Sequence, residues 1–337
     1  VLDEVGRWLD RRSWTAADRP LERILAAKRA AGPAGTVSVV LPALDEEATV
    51  GEIVAAIRRD LVEAVPLVDE IVVVDSGSSD RTGEVAGRAG ARVVHRDSIL
   101  PQLPTVPGKG EVLWRSLLVT SGEIICFVDA DLREFDSRFV HGIVGPLLTE
   151  PDVGFVKAMY DRPLETTATV VEGGGGRVTE LVARPLLNLH WPRLAGFVQP
   201  LGGEYAARRT LLERLPFPCG YGVELGLLVD ALDVAGLDAL AQVDVGVRHH
   251  RHQDGQALGR MAAAIYQTAL DRLSGSGRFK AAGELTPPEL TQFTRRPGEG
   301  FVPQSHPVPT RERPPMVTRP EYRQAREQLA RPRGPAG

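Results

Sequence analysis

The chain has 337 residues and carries 40 lysines plus arginines against 44 aspartates plus glutamates, a formal charge of −4. That near balance excludes a nucleic-acid binder working through a global basic field, and two cysteines, Cys126 and Cys219, exclude a disulfide framework or a four-cysteine zinc site. With 43% apolar residues the length suits one large or two modest domains; no apolar run approaches the ~18 residues that cross a bilayer, and the opening VLDEVGRWLDRRSW has no signal-like stretch. The expectation is therefore a soluble cytoplasmic protein with no nucleic-acid partner and no membrane span, and the missing initiator methionine suggests a trimmed N-terminus.

Residues 1–35 read as a polar lead-in with one amphipathic helix over 20–31, and order is expected to begin at Thr36. TVSVVLPAL is a β-branched strand that stops at a proline. Residues 46–59 have helical spacing, with Val50, Ile53, Val54 and Ile57 on one face. EIVVVDSGSSD is an apolar strand entering a Gly/Ser loop, with Asp80 as the expected N-cap of the next helix. ARVVHR is a third strand, 110–120 a helix, and EIICFVDADL a fourth strand ending in acids. Apolar strands alternating with helices imply a parallel sheet covered on both faces, with ligands beyond the carboxyl ends of its strands.

The second half mixes a strand, DVGFVKAMY, a glycine run at Gly173–Gly176, helices over 178–189, 221–232 and 256–273, and a strand LAQVDVGVRHH. From Thr286 proline is dense and the helical pattern stops, so the end reads as an extended tail available to a partner surface and not as a domain. The expected organisation is a lead-in over 1–35, a nucleotide-binding half over 36–132, a second half over 133–285 and a proline-rich tail over 286–337.

Six motifs carry chemistry. Asp129-Ala130-Asp131 ends an otherwise uncharged strand, and two such carboxylates can hold a divalent cation through oxygen; an ordinary acidic strand-to-loop junction has the same pattern. The loop Asp75-Ser76-Gly77-Ser78-Ser79-Asp80 offers backbone N–H groups to a nucleotide or is simply a capped turn. Lys109, between two glycines, lacks Walker A spacing but can reach a phosphate as a point charge, or is a solvated loop lysine. The glycine run followed by Arg177 and Thr179 leaves N–H groups uncovered at a helix start and adds a donor fork and a hydroxyl, an anion site; a hinge is the plainer alternative. His249, His250 and His252 crowd one strand end, with His250 and His252 sharing a face, so one could complete a metal site with Asp131; a solvated basic end is equally consistent. Glu224, in GYGVE, is a helix-dipole acid or a contact for a substrate hydroxyl.

Read together, LPALDEEATV, VVDSGSSDRT, PGKGEVLWRS and FVDADL resemble the nucleotide-sugar half of a GT-A-type glycosyltransferase. The continuation GGGGRVTELVARPLL, QPLGGEYAARR, GYGVELGLL and GVRHHRH resembles the actinobacterial glucosyl-3-phosphoglycerate synthases and their mannose-transferring relatives, over nearly the whole chain. The resemblance implies a Rossmann-like α/β nucleotide-sugar half, a mixed α/β acceptor half and an extended tail. It implies a retaining transfer of glucose from UDP-glucose to the 2-hydroxyl of D-3-phosphoglycerate, with GDP-mannose as the alternative donor. The resemblance further implies that the departing phosphate helps to take the acceptor proton. The product would feed a methylglucose polysaccharide or the solute glucosylglycerate.

Residue by residue, Pro42, Leu44, Glu46, Ser76 and Lys109 match positions around the nucleoside and donor, and Asp129, Ala130 and Asp131 match the Asp-x-Asp. Asp131 and His250 match ligands of Mg2+, for which Mn2+ is the alternative. Leu201 matches a residue whose backbone lies near the sugar, and Tyr221 and Glu224 match residues beside it. Gly176, Arg177 and Thr179 match the phosphoglycerate site, and Asp131, Glu224, Leu201 and Lys109 are the expected catalytic set. Asp45, Ala130 and His252 depart from the family's usual Asn, Ser and Asn, the last at the acceptor. A homodimer follows from family habit. The competing class is a non-catalytic nucleotide-sugar-binding regulator, which need not keep both a metal pair and an acceptor site.

Overall fold

A computed structural model describes residues 2–165, 170–171, 176–249, 254–279, 288–296 and 300–330. The strands are β1 (Ser13–Thr15), β2 (Val37–Ala43), β3 (Glu70–Asp75), β4 (Arg92–His95), β5 (Ile124–Phe127), β6 (Phe155–Asp161), β7 (Leu164–Glu165), β8 (Val170–Val171), β9 (Tyr205–Arg208), β10 (Phe217–Pro218), β11 (Leu240–Val247), β12 (Glu289–Arg296), β13 (Gly300–Pro307) and β14 (Glu312–Arg313). The α-helices are α1 (Asp3–Arg12), α2 (Leu21–Ala31), α3 (Val50–Arg58), α4 (Thr82–Ala89), α5 (Lys109–Val119), α6 (Arg138–Thr149), α7 (Arg184–His190), α8 (Arg209–Leu212), α9 (Val223–Ala235), α10 (Gly255–Gly275) and α11 (Pro320–Ala330).

Eight strands form one sheet in the order β1-β11-β6-β9-β5-β2-β3-β4. Its pairs are parallel except those of β9, which runs antiparallel to both β5 and β6. Strands such as β2, VSVVLPA, are buried along almost their whole length, because helices cover both faces and leave no polar side to alternate with. One core lies between the sheet and α5, α7 and α9, around Trp114, Phe127, Tyr205 and Leu228; the other lies against α2, α3 and α6, around Ile24, Ile53, Val73 and Ile143.

The topology explains the placement of the site. β2, β3, β5, β6 and β11 all run the same way, so their carboxyl ends share one edge of the sheet. The antiparallel β9 brings its amino end, and the preceding Leu201–Glu204, to that same edge.

Both chain ends are more ordered than composition implies. The lead-in contains α1 before the expected helix, with Trp8 fully buried and its Nε1 donating to the Leu240 carbonyl at 2.8 Å, and β1 extends the sheet. In the tail, β12 and β13 form a hairpin, β14 pairs with β10, and α11 occupies a segment where no helical pattern was expected. The tail is fastened by one hydrogen bond and two buried side chains: Trp114 Nε1 donates to the Pro314 carbonyl at 2.8 Å, and Met316 and Tyr322 enter the core. Arg81 occupies the N-cap position of α4 with no side-chain cap bond; the carboxylate of Asp80, one residue earlier, accepts from the Thr82 and Glu47 amides, tying the α4 start to the α3 loop.

Candidate active site

A cavity of about 630 Å³ opens at this edge. It is lined by Pro42, Leu44 and Glu46 after β2, Ser76 after β3, Lys109 at the start of α5, and Asp129, Ala130 and Asp131 after β5. Leu201, Tyr221 and Glu224, together with Gly176, Arg177 and Thr179, complete the expected set. Every expected site residue within the described part of the chain therefore meets at one cavity. His250, His252 and the glycines at 173–175 lie outside the described residues.

The β2 loop is built by local chemistry. Asp45 has φ +56°, a left-handed conformation that Asn and Asp tolerate, and its Oδ1 accepts from the Ser79 amide at 2.7 Å and the Ser79 hydroxyl at 3.0 Å. Asp here thus serves the turn that Asn would. Asp75 Oδ1 accepts from the Ser78 amide at 2.9 Å. The Thr49 hydroxyl donates to the Ala130 carbonyl at 2.6 Å, joining the β2 loop to the Asp-x-Asp turn. Leu44 and Tyr221 are half exposed at the cavity wall.

At the centre, acids and cations interlock. Lys109 Nζ sits 2.5 Å from Asp129 Oδ1 and 2.8 Å from Glu224 Oε1. Burial alone would lower the Lys109 ammonium, but Asp129 and Glu224 hold it well above its ordinary value. Arg248, just beyond β11 and almost fully buried, reaches Asp129 at 2.9 Å, Asp131 at 3.2 Å and the buried Glu204 at 3.0 Å. Burial opposes ionisation of Asp129, yet Lys109 and Arg248 keep its carboxyl below the usual range. Asp131 goes the other way: burial pushes it up, and Asp129 and Glu204 add to this against the pull of Arg248.

Asp131 is the more exposed of the pair, its side chain 35% accessible. A partly open carboxylate whose neighbours press against its charge, with a second carboxylate two residues away, offers the hard oxygen donors that Mg2+ or Mn2+ takes, so the residues fit a divalent cation. Among the described residues no cluster of three or more His, Cys, Asp or Glu forms a full shell.

Gly176, which lines the same cavity, has φ +74°, a conformation suited to glycine. Beyond it the helix begins irregularly, as a π-type turn over Thr179–Ala183, before α7. Thr179 is buried and Arg177 exposed.

Sequence reasoning missed Arg248, although it adjoins the singled-out histidines in GVRHHRH, and also Glu204 and Arg162. Arg162 lines the cavity, as does Arg96, which opens the segment 96–109 that the strand pattern already puts at the carboxyl ends. The signal for Arg248 and Glu204 was present only as charges at strand ends, which become informative once the sheet order is known.

A glycosyl transferase family 2 model matches residues 38–173. A glucosyl-3-phosphoglycerate synthase of Mycolicibacterium smegmatis is 50% identical over 319 residues, 93% of this chain and 98% of the relative. The crystal structure of glucosyl-3-phosphoglycerate synthase from Mycobacterium tuberculosis with Mn2+, UDP and phosphoglyceric acid superposes with a TM-score of 0.77 at 45% identity, covering 89% of this chain and 96% of that one. The mannosyl-3-phosphoglycerate synthase from Rubrobacter xylanophilus superposes with a TM-score of 0.85 at 41% identity, covering 93% and 99%. With a GT-A-type α/β fold and a relative half identical along almost its entire length, the chain belongs to the glucosyl-3-phosphoglycerate synthase family.

Proposed function

We propose that the chain is a retaining glucosyltransferase moving glucose from UDP-glucose to the 2-hydroxyl of D-3-phosphoglycerate, with Mg2+ or Mn2+ as cofactor. One observation carries this reading: a single cavity is lined both by the Asp-x-Asp with its cations and by Gly176, Arg177 and Thr179, an anion site. A regulator that only sensed nucleotide sugar would have no use for the second set. The kinship with enzymes crystallised with UDP and phosphoglyceric acid supports the same substrates here.

In this reading Pro42, Leu44, Glu46 and Ser76 hold the nucleoside, and Tyr221, Glu224 and the Leu201 backbone surround the transferred sugar. Asp131 and His250 hold the metal, which when bound supplies neutralisation of charge developing on the departing diphosphate. Lys109 balances Asp129 and Glu224 while keeping an ammonium at the donor. Gly176, Arg177, Thr179 and His252 hold the acceptor so that its hydroxyl faces the anomeric carbon. The described part of the chain has no helix long and apolar enough to cross a membrane, and a cytoplasmic location agrees with substrates that are themselves cytoplasmic metabolites. A homodimer would shelter the β12–β13 hairpin, whose Phe293 and Phe301 are exposed: a two-stranded hairpin is marginal alone. We also keep the division at 132/133 as one between donor and acceptor halves, though strands from both join one sheet.

The test is turnover with UDP-glucose and D-3-phosphoglycerate in Mg2+, with the product identified by NMR. Formation of the α-linked glucosyl-3-phosphoglycerate is expected; efficient turnover only with GDP-mannose, or none with any nucleotide sugar, would overturn the reading.

A further inference from the structure

Lys157 stands in the middle of β6, one of the central strands, and is 1% exposed. A buried ammonium is costly, and replacing a buried charge network by packed apolar residues is often neutral or stabilising. A lysine retained there therefore calls for a reason beyond packing. Its Nζ donates to the Gly202 carbonyl at 2.7 Å and lies 4.8 Å from the centroid of the Tyr205 ring, the residue opposite it in the sheet register.

Gly202 belongs to the segment that enters β9 at the cavity edge, and its two glycines leave no space for a side chain. A Cβ on Gly202 would come within 2.8 Å of the Tyr160 hydroxyl; one on Gly203 would overlap both Asp129 carboxylate oxygens and Lys109 Nζ. Leu201, one residue earlier, lines the cavity, and Glu204, one residue later, holds Arg248. Lys157 itself does not line the cavity.

We propose that Lys157 is a positioning residue for the transfer reaction: its bond to the Gly202 carbonyl pins the 201–204 segment, and so sets Leu201 against the transferred sugar and Gly203 against the Lys109–Asp129 pair. The inference rests on the proposed reading of Leu201 as a sugar contact. The electrostatic surroundings agree. Burial lowers the Lys157 pKa to about 8, while Glu224 and Glu204 favour its charged form and Lys109 opposes it.

The experiment compares wild type, Lys157→Met and Lys157→Arg, each judged folded by circular dichroism and melting. It reads kcat, both KM values, UDP affinity by calorimetry, and hydrogen exchange of the peptide covering 199–204. Misplacement by about 1 Å can cost on the order of 100-fold in rate. Lys157→Met is expected to lose about that in kcat, with both KM values and UDP affinity within about threefold, and to exchange faster at 199–204. Lys157→Arg, which keeps a cationic donor, is expected to recover at least part of both. If Lys157→Met does not fold, Lys157→Gln, whose amide still donates, replaces it with a smaller loss of the same pattern. A folded Lys157→Met with wild-type kcat, unchanged exchange at 199–204, or a loss confined to UDP affinity would overturn the proposal. Absence of turnover in the wild type would instead strike the proposed function, and the exchange measurement would still test the pin.

Discussion

Two networks of carboxylates and arginines lie in this chain, one in the cavity and one under the tail, and they are built to opposite ends. In the cavity, Asp129, Asp131, Glu204 and Glu224 share Lys109 and Arg248, and Asp131 stays partly open. Under the tail, Glu111 is fully buried between Arg115, at 2.7 Å, and Arg313 of β14, at 2.6 Å. Burial there would raise the Glu111 carboxyl, but Arg313 and Arg115 bring it below its ordinary value. Nearby, Arg272 pairs with Asp230 at 2.7 Å and with Glu312. The same side-chain chemistry thus leaves one carboxylate available to a ligand and ties others into a clasp. The difference implies that the first network should be spent on activity and the second on stability.

Asp131→Ala should show the largest effect and the cleanest separation. Losing a metal ligand worth several kcal/mol should lower kcat by on the order of 10³-fold, with little change in melting temperature. Titration calorimetry with UDP-glucose, with and without Mg2+, should lose its metal dependence. Full activity in EDTA, or a large drop in melting temperature, would erase the contrast.

Arg177→Ala carries the comparison to the glycine-run segment of the same cavity. A charge-assisted bond is worth roughly 1.5–3 kcal/mol, or about 10–150-fold in affinity, so the KM for 3-phosphoglycerate should rise by that factor while UDP-glucose binding holds. Lysine should rescue only in part, since it lacks the planar fork. If donor affinity fell and the acceptor KM did not, the glycine-run segment would belong to the nucleotide.

Arg313→Ala moves to the clasp. It removes one of two cations from buried Glu111, and breaking a buried pair from one side costs about 3–5 kcal/mol, reduced here to about 2–3 kcal/mol because Arg115 remains. The melting temperature should fall by about 3–4 °C, with kcat within about threefold of wild type. A rate loss without a stability loss would place the clasp among the working parts of the enzyme.

The contrast between these networks also marks what the sequence could reveal. The parallel strands and the donor loops were legible because each is a continuous local pattern: an apolar run, then a proline, glycine or acid. The Arg177 segment was legible from its own glycines. Arg248, Glu204 and Lys157 were not, since their meaning depends on β9 running antiparallel between β5 and β6, and no local period in GEYAARR announces that. The ends were misjudged for a related reason. Trp8, Met316 and Tyr322 are isolated apolar residues in polar segments, and only long-range packing, such as the Trp8 bond to Leu240 across 232 positions, makes them core.

The smallest expected effect sharpens the clasp by pH. Burial raises the Asp230 carboxyl to about 6, against the pull of Arg272 and with Glu312 and Asp233 adding to the rise. A carboxyl whose folded pKa lies above its unfolded value, ordinarily near 3.9, binds its proton more tightly when folded. Its contribution is therefore fully present below about pH 4 and lost as pH rises through 6. That is at most about 3 kcal/mol, and less in practice because Arg272 offsets part of the charge. Asp230→Asn mimics the neutral acid at every pH. Its melting temperature should lie close to wild type at pH 4 and above it, by a few degrees, at pH 8, with UDP affinity equal in the two proteins throughout. A variant that is instead less stable than wild type at pH 8 and equal at pH 4 would mean that the ionised Asp230–Arg272 pair is itself stabilising, and that the tail clasp works by paired charge at Arg272 as well as at Glu111.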